Sequence, residues 1–351
     1  MSKDFTSILD FSRQIKVAGM SAEKQTQIEQ AKVAIFGAGG LGVTAISYLT
    51  AAGIGHITVI DPDHIEASNL HRQILYRPSD IGQKKALMAT QFALQQNPAA
   101  SINAITEKAD LAQIRTLFEQ HDLVLDCTDD IAAGYVFNDI AWHTKTSVVF
   151  ANAAALNGQL FNLIPEQDNA CLRCLWPESD QDGATCDGIG VLGPVPGALG
   201  CLQALEALKI LAEIEASLRN TFLHFDFQQH RYHKLALNKA PDCEHQLTWE
   251  QIQDRHALYQ AQFEQPDSGS GRDSAIIIDI REAHEVAEMP YSFTDQCIPM
   301  SVLMAHPQDY LEDDQCYQLV CSRGIRSANA AVALRETFGY DVFPYQGENK
   351  S

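Results

Sequence analysis

The sequence predicts an α/β protein with two domains: a mostly parallel sheet with helices on both faces, and then a smaller α/β domain. The first observation is a repeated alternation of apolar strand-like runs and amphipathic helical runs across residues 32–126. The second is a change to polar composition after Ala240, followed by a β-rich run that begins at AIIIDI. The third is length, since 351 residues suffice for about two domains.

The elements of the first domain can be assigned in order. KVAIF predicts a buried strand, VTAISYLTAA a helix and HITVID the next strand. A second alternation follows, with helices in KKALMATQFALQQN and LAQIRTLFEQ and strands near SINAITE and in DLVLDC. Such βαβ units are typical of a Rossmann-like sheet.

Five further elements complete this domain. Residues 147–164 predict two strands, and TFLHFDF and YHKLAL predict a last strand pair. Between them CLQALEALKILAEI predicts a helix. Its leucines recur at about three-residue spacing: Leu202, Leu205, Leu208 and Leu211.

The boundary between the domains is predicted from composition. The stretch after Ala240 is polar with one candidate helix, and PDSGSGRDS is typical of a flexible linker. We therefore assign residues 1–245 to the first domain, 246–273 to the linker and 274–351 to the second domain.

Charge and composition argue against several classes of protein. A net charge of −20 argues against general binding to nucleic acid or to anionic membranes. The first 20 residues lack the apolar core of a signal peptide, and no later run reaches membrane-spanning length. We expect a cytoplasmic protein, in which the nine cysteines are metal ligands, catalytic thiols or buried residues rather than disulfides.

A glycine-rich turn follows the first strand. Gly37, Gly39 and Gly42 form G-x-G-x-x-G between a strand and a helix, an arrangement that lets backbone N–H groups approach a phosphate. Asp61, at the end of the second strand, is placed to bind a ribose hydroxyl. Taken alone, this pattern also fits a dehydrogenase that binds NAD or FAD.

Charged residues after the other strands favour ATP. SNLHRQ contributes Arg72, IGQKKA contributes Lys85, and DCTDD contributes Asp129. Attack on the α-phosphate of ATP needs cations to stabilise the charged transition state and a carboxylate to hold Mg²⁺. Each residue alone could be a solvated surface charge, but all three follow strands of one predicted sheet.

Eight segments occur in the order found in one enzyme family: FSRQI, GAGGLG, SNLHRQ, IGQKK, DLVLDCTDD, NGQLFNLIP, CLRCL and LGCLQALEALK. Together they resemble the MoeB/ThiF branch of the ubiquitin-activating-type enzymes, over about residues 11–245. The resemblance implies binding of ATP and Mg²⁺. It also implies adenylation of the C-terminal glycine of a small ubiquitin-like sulfur-carrier protein that ends in Gly-Gly.

The resemblance also implies roles for individual residues. Asp61 would hold the ribose, Arg72 and Lys85 would contact the phosphates, and Asp129 would handle Mg²⁺ and pyrophosphate. The nucleotide contacts implied further are Gly37, Gly39, Gly40, Gly42 and Asn69.

The resemblance also bears on Arg13 and Asp130. Arg13 corresponds to an arginine that reaches the nucleotide of the partner protomer, which implies a homodimer. Asp130 stands where the family usually has asparagine. An extra carboxylate there would either weaken ATP binding or add a metal contact.

Cysteines in the first domain suggest a metal site. Cys171 and Cys174 form C-x-x-C, and thiolates at this spacing suit tetrahedral Zn²⁺. In the family a second C-x-x-C completes the site, but here Cys243 is followed by His245 and by Gln246 at the expected cysteine position. Two readings stay open, a Cys₃His zinc site and a reduced cysteine pair without metal.

Cys186 lies in the polar, glycine-containing stretch DQDGATCDGIG. An exposed thiol there could accept the activated carrier as a thioester or attack a persulfide, or it could have no role. Cys127 and Cys201 lie in apolar elements and are predicted to be core residues.

The C-terminal domain resembles a rhodanese domain through AIIIDIREAHEVAE and YQLVCSRGIRSANAAVALRETF. A strand delivers Cys321 into a tight loop before a helix, where N–H groups stabilise a thiolate or persulfide. Phosphatases need five residues between Cys and Arg, whereas Cys321 and Arg326 are separated by four. Because Ser322 stands where the loop often has arginine, an inactive docking domain is the alternative.

These features predict a three-step reaction. The first domain adenylates the carrier, Cys321 receives sulfur from a persulfide donor such as a cysteine desulfurase, and the persulfide converts the adenylate into a thiocarboxylate. The alternatives are an adenylyltransferase with an inactive rhodanese-like domain, a dinucleotide-dependent oxidoreductase, and a scaffold that binds ATP without catalysis.

Overall fold

The computed structural model describes residues 9–166, 169–177, 190–214, 218–257, 259, 275–288, 290–312, 315–321 and 325–345. The chain divides into two compact units, Met1–Ile252 and Gln253–Ser351. The predicted linker segment PDSGSGRDS lies outside the described residues. No helix in the described part of the chain is long and apolar enough to cross a membrane.

An eight-stranded sheet forms the centre of the first unit. Its strands are β1 (Lys32–Phe36), β2 (His56–Ile60), β3 (Ser101–Ile105), β4 (Leu123–Asp126), β5 (Ser147–Ala154), β6 (Asn157–Leu163), β7 (Thr221–Asp226) and β8 (Arg231–Ala236). They lie in the order β3-β2-β1-β4-β5-β6-β7-β8. Strands β1 to β5 pair in parallel, and the last three pairings are antiparallel.

The strand order changes direction between β1 and β4, which are neighbours although β2 and β3 come between them in the chain. In open parallel sheets a ligand binds in the crevice at the carboxyl ends of such a strand pair. The glycine turn follows β1 and DCTDD follows β4, so the topology brings both segments to that crevice. The predicted fold class is confirmed.

The helices of this unit are α1 (Ser12–Ile15), α2 (Ala22–Gln30), α3 (Gly42–Ala51), α4 (Lys85–Gln96), α5 (Leu111–Gln120), α6 (Ile131–Thr144), α7 (Leu172–Leu175) and α8 (Pro194–Leu211), while α9 (Trp249–Arg255) includes the boundary between the units. Helix α3 packs on α4 and α8, and α5 packs on α6. Helix α9 lies inside the stretch 246–273 that the sequence predicts as a linker.

The leucines of α8 predict the helix but not its buried face. Leu205 is 51% exposed, whereas Leu199, Gln203 and Ala207 are fully buried. Gln203 stays in the interior because its amide donates to the carbonyl oxygen of Asp126 at 2.7 Å. Hydrogen bonding therefore places a polar residue in the core and leaves a leucine partly exposed.

The second unit has a four-stranded sheet in the order β10-β9-β11-β12, paired in parallel throughout. The strands are β9 (Ile276–Asp279), β10 (Gln296–Cys297), β11 (Tyr317–Val320) and β12 (Val342–Pro344). Its helices are α10 (Ala283–Glu288), α11 (Met300–Ala305) and α12 (Ile325–Ala333), with a π-helical turn at Leu334–Phe338. A separate apolar core includes Ile278, Leu303 and Leu319.

Candidate active sites

The glycine loop connects β1 to α3 at the carboxyl edge of the large sheet. Gly37 has a φ of +95°, and its N–H donates to the carbonyl oxygen of Ile60 at 2.8 Å. A Cβ on Gly37 would lie 2.6 Å from the carbonyl oxygen of Cys127, and one on Gly42 would lie 1.9 Å from that of Gly37. A side chain at either position would collide with backbone, so glycine is required for this close approach.

Asp61 follows β2 and supports the loop. Its buried carboxylate accepts hydrogen bonds from the N–H of Ala38 at 2.7 Å and of Asp63 at 2.9 Å. Burial raises the pKa of Asp61, and the bond from Ala38 opposes that effect. A carboxylate offers about four acceptor positions, so Asp61 can hold the loop and still accept from a ribose hydroxyl.

Arg72 lies over the same loop. Its Cγ is 3.7 Å from the Cβ position of Gly40. The guanidinium donates to the carbonyl oxygen of Ser68 at 2.9 Å and lies 2.8 Å from Nε2 of His71. No carboxylate among the described residues pairs with it, so its charge is available to an anion above the loop.

Two buried amides neighbour Arg72. Asn69 accepts from the N–H of Glu66 at 3.0 Å, which fixes the turn that carries the arginine. Gln73, which no sequence motif singles out, is 3% exposed, and its Nε2 lies 3.8 Å from the Cβ position of Gly39. Its Oε1 is buried and has no hydrogen-bond partner within the described chain. An acceptor there suits a hydroxyl or amino group of a nucleotide.

Lys85 begins α4 and is also held near the loop. It is 7% exposed, and its Nζ lies 2.8 Å from Oδ2 of the exposed Asp63. It is close enough to Asp61 to lower that pKa by charge attraction. The buried Tyr76 hydroxyl lies 2.8 Å from the carbonyl oxygen of Ala38 and 3.3 Å from that of Lys85, so it links the loop to α4.

Acidic residues lie at the last position of β4 and directly after it, beside the glycine loop. Burial raises the pKa of Asp126 to about 7, and the charges of Asp129 and Asp130 add to this effect. Asp129 is exposed. Asp130 caps α6, with Oδ1 accepting from the N–H groups of Ala132 at 2.9 Å and Ala133 at 3.2 Å. Capping explains the aspartate, because Asp and Asn serve this position about equally well.

Arg13 is not part of this cluster. Its neighbours Phe11 and Gln14 contact Gly53 and Ala52, at the far end of α3 from the glycine loop. The ten residues of α3 span about 15 Å. Arg13 is exposed and has no hydrogen bond or ion pair in the part of the chain that the structure describes. The fold therefore does not bring it to the nucleotide site of its own protomer.

Four potential metal ligands from distant parts of the sequence come together: Cys171, Cys174, Cys243 and His245. Sγ of Cys171 lies 3.7 Å from that of Cys174 and 3.5 Å from that of Cys243. Nε2 of His245 lies 3.3 Å from Sγ of Cys174. Ligands around tetrahedral Zn²⁺ with Zn–S bonds of about 2.3 Å are about 3.8 Å apart, so this cluster has nearly the required spacing.

Burial governs the protonation of two of these four ligands. Burial raises the pKa of Cys171 and lowers that of His245 to about 4. Nδ1 of His245 is buried without a partner among the described residues, and the ring lies 4.3 Å from that of Trp142. Buried thiols and an imidazole at these distances fit a dication, which favours thiolates and neutral histidine.

Cys321 follows β11 at the carboxyl edge of the small sheet. It is 2% exposed, and its Sγ lies 3.4 Å from the N–H nitrogen and 3.5 Å from Oγ of Ser327. Ser327 belongs to the first turn of α12, so a helix N-terminus faces the sulfur. This arrangement can stabilise negative charge on a thiolate or persulfide.

The remaining cysteines have different surroundings. Cys186 lies outside the described residues. Cys127 is buried and its thiol donates to Oε1 of Gln203 at 3.3 Å, as a core residue would. Cys201 is only partly buried, because it lies near the exposed Tyr48 rather than on the inner face of α8.

Comparison with known proteins identifies the family of this chain. Residues 11–245 match the ThiF family. The chain belongs to the ThiF family. The predicted family and the predicted class of enzyme, an adenylyltransferase of the MoeB/ThiF type, are confirmed. Residues beyond 245 lie outside the matched region.

Three relatives illustrate the match. The sulfur carrier protein ThiS adenylyltransferase of Escherichia coli K12 is 36% identical over 66% of this chain and 92% of its own. The SAMP-activating enzyme E1 of Haloferax volcanii is 34% identical, over 69% and 90%. The adenylyltransferase and sulfurtransferase MOCS3 of Danio rerio is 36% identical over 67% of this chain but only 52% of its own.

Solved structures share the fold. The crystal structure of E. coli MccB with AMPCPP and MccA matches with a TM-score of 0.58 and 22% identity, over 64% of this chain and 69% of that chain.

Proposed function

We propose that this protein uses ATP to adenylate the C-terminal glycine of a small ubiquitin-like sulfur-carrier protein, and that Cys321 then supplies sulfur to form a thiocarboxylate. The observation that carries the first step is the meeting of the glycine loop, Arg72, Lys85 and the acidic end of β4 at one crevice. Relatives named for ThiS and SAMP activation support a carrier of this kind.

In the adenylation step the carrier carboxylate attacks the α-phosphate, and pyrophosphate leaves. The loop N–H groups and the cations Arg72 and Lys85 stabilise negative charge on the phosphates. Asp129 would hold Mg²⁺ at the exposed end of β4, where it would neutralise phosphate charge. Asp61 would orient the ribose from beneath the loop.

In the sulfur step the terminal sulfur of a Cys321 persulfide attacks the acyl-adenylate and AMP leaves, which gives an acyl disulfide. A second thiol, for which Cys186 is the candidate, attacks the Cys321 sulfur and releases the thiocarboxylate. A thiol reductant then restores the cysteine pair. The name of the MOCS3 relative supports a sulfurtransferase step, although the match covers only 67% of this chain and 52% of that relative.

We also propose a closed zinc site of Cys171, Cys174, Cys243 and His245. Four protein ligands leave no open position, so Zn²⁺ would stabilise the fold rather than catalyse. It would tie α7 to the segment that follows β8.

We further propose a homodimer in which Arg13 reaches the partner's nucleotide. Arg13 lies about the length of helix α3 away from the nucleotide site of its own protomer.

ATP–pyrophosphate exchange with a cognate carrier tests the adenylation step. Asp129→Ala should abolish exchange, because the carboxylate that would hold the metal is lost while the exposed position tolerates alanine. Glu119→Ala removes an exposed carboxylate of α5 and should leave exchange unchanged. Exchange near the wild-type rate in Asp129→Ala would reject the assignment. If the wild-type protein shows no pyrophosphate exchange with any carrier tested, a non-catalytic scaffold is favoured.

A further inference from the structure

An ion pair lies beside Cys321, and Glu285 is its acidic member. Both terminal nitrogens of Arg326 donate to the Glu285 carboxylate, at 2.6 and 2.7 Å. This bidentate geometry is among the strongest arrangements of a guanidinium and a carboxylate. Glu285 also accepts from the N–H of Glu282 at 2.9 Å, so the start of α10 fixes its position.

The ion pair changes the charge that Cys321 experiences. The pKa of Arg326 is raised first by its hydrogen bond to Glu285, and the neighbouring Cys321 contributes to the rise. The same bond lowers the pKa of Glu285 to about 2, so the carboxylate is ionised at neutral pH. Arg326 and Glu285 together carry no net charge, although the guanidinium lies next to the sulfur.

Sulfur donors differ in the charge that they bring. The Cys321 thiolate attacks the outer sulfur of thiosulfate, the S–S bond breaks, and its electron pair leaves on sulfite, a dianion. With a persulfide R–S–SH the same attack forms the same Cys321 persulfide, and the electron pair leaves on a singly charged thiolate. A nearby uncompensated cation helps the first reaction more than the second, because it stabilises a larger developing charge.

We propose that Glu285 determines donor specificity: by occupying both terminal nitrogens of Arg326, it withholds that cation from anionic donors and biases Cys321 toward persulfides. This inference rests on the proposed function, since it requires Cys321 to carry sulfur. Glu285 is a specificity-determining residue that acts through Arg326.

The test compares the full-length protein with Glu285→Gln, using donors of graded charge. The donors are thiosulfate, the singly charged benzenethiosulfonate, and cysteine persulfide, whose reacting end carries no oxyanion. We expect kcat/KM to rise roughly tenfold for thiosulfate, the scale of one charge-assisted hydrogen bond. It should rise less for benzenethiosulfonate and stay within about twofold for cysteine persulfide.

Two further variants complete the design. Glu282→Gln removes the same charge from a half-buried residue three positions earlier and should change none of the three values. Glu285→Asp keeps the charge on a shorter side chain that no longer reaches both nitrogens. It should give a smaller thiosulfate gain, and it provides the test if Glu285→Gln does not fold.

The outcomes separate this inference from the function on which it rests. One outcome is that mass spectrometry shows sulfur on wild-type Cys321, but kcat/KM in the Glu285 variants does not rise with the charge of the donor. That outcome would overturn the role of Glu285 alone. An equal gain with all three donors, or the same gain in Glu282→Gln, would also overturn it. Failure of every donor to load Cys321 would reject the sulfur-carrying function and this inference together.

Discussion

At the scale of single residues, His245 rather than Gln246 is the fourth member of the candidate metal cluster. The family pattern places a cysteine at position 246, but the structure brings His245 to 3.3 Å from the Cys174 sulfur instead. The ring lies 4.3 Å from that of Trp142 and is tilted by 35° against it, a contact that fixes its direction. The sequence spacing left this ligand open, because C-x-H is unusual and only the fold shows where the ring points.

Metal content tests this assignment. Purified wild-type protein should hold about one Zn²⁺ per chain, because the four ligands form a closed set. His245→Ala should lose most of it, and adding Gln246→Cys to that variant should restore binding by supplying the family's ligand. The measurement is elemental analysis after dialysis, with melting temperature before and after chelator. The site would be contradicted if wild-type protein holds no zinc and its melting temperature does not change when chelator is added.

Helix α6 shows what the sequence does and does not reveal at the scale of elements. The strands and amphipathic helices around it were predicted, because apolar residues recur at a clear period. Residues 133–142 are all buried, so α6 has no polar face and no period marks it as a helix. Similarly, Gln203 lies on the buried face of α8 because of a hydrogen bond that no sequence pattern displays.

The predicted nucleotide residues were easier to place than the surrounding contacts. Gly37, Asp61 and Lys85 each stand at the end of a strand or the start of a helix, and parallel topology brings such ends together. Gln73 and Tyr76 could not be assigned, since their importance lies in burial and in contacts with a distant loop.

The cap of α6 gives a prediction at this scale. Asp130→Ala should lower the free energy of unfolding by about 1 kcal/mol, because the N–H groups of Ala132 and Ala133 lose their acceptor. Asp130→Asn keeps the acceptor and should change stability by no more than a few tenths of a kcal/mol. Urea unfolding measures both. Equal destabilisation by alanine and asparagine would show that charge rather than capping explains the aspartate.

At the scale of the whole molecule, we predict that each adenylation site combines Asp129 of one protomer with Arg13 of the other. Mixing Arg13→Ala protein with Asp129→Ala protein should restore part of the pyrophosphate exchange that each lacks. Some heterodimers then hold one site with both residues intact. Size-exclusion chromatography and a tagged partner would establish that subunits exchange. Exchange of subunits without recovery of activity would place Arg13 outside the site.

The two units also divide the chemistry. The residues proposed for adenylation lie in Met1–Ile252, and Cys321, the proposed sulfur carrier, lies in Gln253–Ser351. Joining two sites in one chain raises the effective concentration of each at the other, so the adenylate can meet the persulfide before water hydrolyses it. Separate sites in one chain require that either activity can be lost without the other.

Cys321→Ala tests that requirement most directly. Wild-type and variant proteins receive the carrier, ATP and a persulfide donor, and mass spectrometry of the carrier measures thiocarboxylate while pyrophosphate exchange is followed in parallel. Cys297→Ala, at an exposed cysteine of the same unit, is the control. We predict that Cys321→Ala exchanges pyrophosphate at the wild-type rate and forms no thiocarboxylate, while the control does both. Thiocarboxylate formed at the wild-type rate without Cys321 would contradict the account, because sulfur would then travel by another thiol.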